Sequence, residues 1–75
     1  MNAVGKRITY TVRGVCSMKK NTYIIWEHVD GSPVNEYEGF DRGHEFTLYP
    51  KRRLIPSPVE LKKKTVGIRE TKRAF

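Results

Sequence analysis

Cysteine is almost missing from this chain: Cys16 stands alone, so no disulfide can form within it. A single thiol fits a reducing compartment, and the cytoplasm is the expected location. Long apolar runs are missing too. The longest, Tyr23-Ile24-Ile25-Trp26, has four residues, whereas a membrane helix needs about 20. Met1 to Arg13 carries Lys6 and Arg7 but no apolar stretch, so neither a signal peptide nor a membrane partner is expected. Acids are scarce beyond residue 50, where Glu60 and Glu70 face nine bases: Lys51, Arg52, Arg53, Lys62, Lys63, Lys64, Arg69, Lys72 and Arg73.

The net charge of +7 therefore lies in residues 51–75, while residues 1–50 hold six bases and six acids. The balance is uneven within that neutral part as well. Lys6, Arg7, Arg13, Lys19 and Lys20 precede any acid, and Glu27, Asp30, Glu36, Glu38, Asp41 and Glu45 then follow with Arg42 as the one base among them. The nine late bases read as a cationic arm suited to a phosphate backbone or an acidic protein surface. The acidic middle would repel phosphates, so a nucleic acid would have to use another face.

Catalytic and metal-binding patterns are also lacking. Cys16, His28 and His44 have no paired spacing, whereas structural zinc takes four ligands with close pairs. As a Cys–His nucleophile and base they lack a third group and a pocket. Glu36 and Glu38 fall on one face of a strand, which reads as an exposed acidic edge rather than an acid–base pair. The six glycines are scattered, so there is no phosphate loop, and zinc-finger, leucine-zipper and RNA-recognition signatures are missing. No enzyme activity and no cofactor are expected.

The remaining pattern is β. Lys6 to Cys16 alternates, with Ile8, Tyr10 and Val12 against Arg7, Thr9, Thr11 and Arg13. Asn21 to Val29 is apolar on both sides, as in a central strand. Asp30-Gly31 predicts a type I′ hairpin turn, with a return strand over Val34 to Phe40 and an edge at Pro33. After a turn at Asp41-Arg42-Gly43, His44 to Tyr49 alternates and Pro50 is expected to end it. Ser57-Pro58-Val59-Glu60 has the order of a helix start and predicts a short helix from Pro58 to about Thr65.

The expected architecture is a small antiparallel β-domain of three to five strands over residues 1–50, an SH3-like or OB-like barrel or a meander. A basic arm, partly helical or disordered, follows over residues 51–75. A chain of 75 residues makes one small core, which takes most of the aromatics. Tyr49, opposite in parity to Phe46 and Leu48, is the aromatic expected outside. Trp26 or Tyr37 is a candidate anchor for a protein partner, with Lys6, Arg7 and Arg13 as a second charged surface.

In size, charge and layout the chain is similar to small bacteriophage-encoded proteins that bind a host machine, particularly RNA polymerase. The similarity implies a non-catalytic regulator acting in the host cytoplasm on a protein partner; a monomer is the default expectation. Direct binding of DNA or RNA through the arm and the aromatics is the other expectation.

Overall fold

The computed structural model describes residues 7–15 and 22–73. Lys6 and Cys16 lie outside these residues. Six strands run in the order β1 (Ile8–Val15), β2 (Thr22–Val29), β3 (Ser32–Asp41), β4 (Glu45–Arg53), β5 (Lys64–Gly67) and β6 (Thr71–Arg73), with a 3-10 turn at Ile68–Glu70 before the last. They form one sheet in the order β5-β4-β3-β2-β1-β6. The sheet is mixed rather than antiparallel, because β6 runs parallel to β1.

β5 and β6 occupy opposite edges yet are joined by three residues. Five strand spacings of about 4.8 Å would set the edges of a flat sheet about 24 Å apart. Three residues of 3-10 helix advance only about 6 Å. The sheet therefore curls into a half-barrel.

The β2–β3 hairpin follows the sequence pattern. Asp30 (φ 50°) and Gly31 (φ 90°) both adopt positive φ, as a type I′ turn requires, and Val29 pairs with Ser32 across it. β2 lies inside the sheet, between β3 and β1. β3 is an interior strand over most of its length, but at Pro33 it pairs with β2 alone, so that end is an edge toward β4. Its ladder to β4 starts only at Asn35, so the missing N–H of Pro33 leaves no gap there.

Two expectations about the second half are corrected. Pro50 does not stop β4, which continues to Arg53. Tyr37 pairs with Pro50 and Glu36 with Arg52, leaving Lys51 as the extra residue of a bulge. β5 has already ended by this point, pairing with β4 only from Glu45 to Leu48, so Pro50 disrupts little. The helix expected from Pro58 to Thr65 does not form, and no α-helix occurs among the described residues. The cap survives as a local turn, with the Val59 N–H donating to Ser57 Oγ at 3.1 Å. A helix this short is unstable alone, and pairing of Lys64–Gly67 with β4 claims its last residues.

Nor is the chain beyond residue 50 an appendage. Val66 is buried with Val12, Ile25, Tyr37, Phe46 and Leu48 in a single core, and Tyr10, Tyr23, Leu61 and Ile68 pack against it. Arg53 ties down the connection before β5 by donating from Nη1 to the carbonyls of Ser57 (3.0 Å) and Val59 (3.3 Å).

Gly39 lets β3 close on this core. A Cβ there would press on Ile25 Cδ1 and lie 3.2 Å from Ile25 Cγ1 and Leu48 Cδ2. Gly39→Ala is expected to cost about 1–3 kcal/mol by overpacking, seen as a lower urea midpoint with an unchanged m-value.

Candidate interaction surface

The half-barrel has two faces, and the inner one holds an unexpected charge. Glu27 shares strand parity with Tyr23 and Ile25 and is fully buried. Its Oε1 accepts from Asn35 Nδ2 at 2.7 Å and from the Tyr37 hydroxyl at 2.9 Å. Its Oε2 accepts from the Tyr10 hydroxyl at 2.7 Å and from Lys64 Nζ at 2.6 Å. The Lys64 ammonium also lies 5.5 Å from the Tyr37 ring centroid and 5.9 Å from that of Tyr10. The cluster joins β1, β2, β3 and β5 around one carboxylate.

Burial alone would raise the Glu27 pKa. The bonds from Asn35, Lys64, Tyr10 and Tyr37 outweigh it and hold the carboxyl below its ordinary 4.5. Burial, and then the hydrogen bond and charge of Glu27, push the Tyr10 and Tyr37 hydroxyls above their usual range. The folded chain thus binds the Glu27 proton less tightly than the unfolded chain does. Its stabilisation is complete above pH 4.5 and fades as pH falls through the folded value. The tyrosines act in the opposite sense: their contribution is complete below pH 10 and fades as pH rises through the raised folded values. Urea midpoints are expected to drop on both sides, and Glu27→Gln should flatten the acid limb. An acid limb identical in that variant would contradict the assignment.

The outer face carries the exposed chemistry. On β3 and β4, Phe40 and Tyr49 meet edge to face at 5.4 Å, and Lys63 sits 5.2 Å from the Tyr49 ring centroid. On β1 and β2, the Arg13 guanidinium covers the Trp26 ring at 4.7 Å. Trp26 Nε1 and His28 Nε2 are buried there, without a hydrogen-bond partner among the described residues. Glu36 pairs across strands with Trp26, and Glu38 with Tyr49.

The expected site residues divide accordingly. Tyr49 is exposed and Trp26 half-buried, both outward. Tyr37 is not a surface anchor; it is 0% exposed and belongs to the core. Lys64 is not a free cation either, because its ammonium is committed to Glu27. Arg52 is exposed but binds Glu36 at 2.6 Å, and Arg53 braces the chain as described above. Lys51 stands exposed at its bulge, Lys62 lies 3.7 Å from the exposed Glu60, and Lys63 covers Tyr49. Arg69 lines a cleft of about 500 Å³ with His44 and Glu70. Arg7 and Lys72 meet in another cleft, of about 520 Å³. Arg73 ends β6.

Sequence reasoning placed Glu27 in a surface acidic stretch. The signal that it points inward was its shared parity with Tyr23 and Ile25. Among the described residues no group of three or more His, Cys, Asp or Glu side chains could hold a metal ion, and no helix is long and apolar enough to cross a membrane. In comparisons with known proteins the chain matches no family model, no curated protein and no solved structure.

Proposed function

We propose that this protein is a non-catalytic regulator that docks through its β-body on a nucleic-acid machine in the cytoplasm. RNA polymerase is the partner class implied by its resemblance to small phage regulators. The observation that carries this reading is the outer face of β3 and β4. Aromatic Phe40 and Tyr49 lie there among Lys63, Arg52, Glu36 and Glu38. Aromatic anchors ringed by charges of both signs suit a protein partner; Glu36 is buried against Arg52, and the half-buried Glu38 opposes a phosphate backbone. Lys51, Lys62 and Lys63 are exposed, and Lys63, against Tyr49, supplies positive charge at this surface.

For the fold we propose the SH3-like kind of small barrel, because its closing strand is broken by one 3-10 turn between β5 and β6. That type hosts many functions, so it adds nothing to the choice of partner. Direct binding of DNA or RNA is the second reading. It draws on the cation–aromatic pairs Lys63–Tyr49 and Arg13–Trp26, a combination used to stack unpaired bases.

Affinity capture from native lysate, with and without nuclease, separates the two. Docking predicts a stoichiometric protein partner retained after nuclease and lost with Tyr49→Ala. Capture that disappears with nuclease would overturn docking and favour direct binding.

A further inference from the structure

We propose that the β6–β1 side of the outer face binds the phosphates of a single-stranded nucleic acid. This goes beyond the docking reading, since it concerns a different surface and a different ligand. Of the nine late bases that sequence alone assigned to an anionic partner it keeps Lys72, and it replaces the Lys51–Arg53 and Lys62–Lys64 clusters with Arg7 and Arg13 of the N-terminal part.

The site is a cleft of about 520 Å³ lined by Arg7, Thr9, Asp30, Gly31 and Lys72. Tyr10 and Val12 pack inward, so Thr9 and Thr11 project outward along β1 with Arg7 just before it in the same parity, and Arg13, at a bulge, reaches the same face over Trp26. Thr11 pairs with Lys72 in the parallel ladder, which sets the Lys72 ammonium on the same face. Outward residues on a strand repeat every 6.6 Å or so, close to the phosphate repeat of an extended single strand. Arg7, Lys72 and Arg13 thus form a cationic line about 20 Å long, with Thr9 and Thr11 hydroxyls between them as further donors.

Charge favours this side over the rest of the face. β1 and β6 contain no acid, and the one acid of β2, Glu27, is turned inward and fully paired. Asp30 is the acid of the cleft; its Oδ1 accepts the Arg7 backbone N–H at 3.0 Å. The Arg13 guanidinium over the Trp26 indole offers a flat surface at the end of the line. An unpaired base can stack on such a surface, whereas a duplex keeps its bases enclosed.

The test is fluorescence anisotropy of the full chain with labelled 12-nucleotide oligo(dT) and oligo(U) over a salt series. Three phosphate contacts predict a log–log slope of about −2. Arg7→Gln and Lys72→Gln should each weaken binding about 3- to 10-fold and reduce the slope by about 0.7. Asp30→Asn keeps the turn, since Asn tolerates positive φ, and removes one negative charge, so it should tighten binding. Arg42→Gln removes one positive charge, as Arg7→Gln and Lys72→Gln do, but from the far turn, and should change nothing. Tighter binding of one oligonucleotide assigns the strand to DNA or RNA.

The proposal is overturned if neither oligonucleotide binds, or if Arg7→Gln and Lys72→Gln bind like the parent while Lys51→Gln carries the loss. Equal affinity for a 12-base-pair duplex overturns the single-strand assignment. Competition by poly-glutamate with the same dependence on Arg7 and Lys72 would assign the cleft to an acidic protein segment instead. None of these outcomes alters nuclease-resistant capture, so failure here and failure of docking are distinguishable.

Discussion

Glu27→Ala is expected to destabilise the domain by about 3–5 kcal/mol, the usual cost of removing one partner from a buried ion pair. The substitution leaves the ammonium of Lys64, whose side chain is 21% exposed, without its counter-charge. It also strips an acceptor from Tyr10, Tyr37 and Asn35. A domain of this size has a total stability of about 4–11 kcal/mol, so the substitution removes a large share of it. Glu27→Gln keeps one carbonyl for Asn35 and Tyr37 but turns an amide toward Lys64, and it should lose less. Urea titration by circular dichroism reads both. A loss under about 1 kcal/mol for Glu27→Ala would mean that the cluster is not formed as described.

Truncation after Lys63 is expected to unfold the whole domain, not trim a tail. It removes Lys64, Val66 and strands β5 and β6 together. Glu27 then keeps its burial without a cation, β1 and β4 lose partners along exposed edges, and the core loses one of its six buried members. Edges opened in this way also invite association between chains. Collapse of amide dispersion in a ¹H–¹⁵N spectrum is the expected result. A dispersed, cooperatively melting fragment would show that residues 64–73 are a dispensable arm.

The hairpin and the first four strands were legible because their signals are local. Asp30-Gly31 dictates its turn through backbone sterics, and the alternation of Ile8, Tyr10 and Val12 fixes which side of β1 is buried. The region after Pro50 was not, because its structure depends on partners distant in sequence. Thr65 and Val66 are strand residues only by pairing with Thr47 and Phe46. Lys64 resembles its neighbours Lys62 and Lys63 in sequence, and only the pairing turns it toward Glu27, 37 positions away. Net charge alone cannot separate a cation that faces solvent from one spent inside the fold. The surface reading changes accordingly: of the bases after residue 50, Lys64 is consumed in the core and Arg52 and Arg53 are tied to Glu36 and to main-chain carbonyls. Lys72 gains importance by lying beside Arg7, a neighbour that sequence distance hides.

The proposed docking assigns β3–β4 of the outer face to a protein partner. The most direct test places a photo-crosslinking amino acid at position 49, which is exposed and outside the core, and irradiates the protein in its native lysate. A discrete protein adduct that survives nuclease, and that a probe at position 42 does not give, is the predicted result. Adducts at position 49 that disappear with nuclease would contradict docking and identify nucleic acid as the ligand of that face.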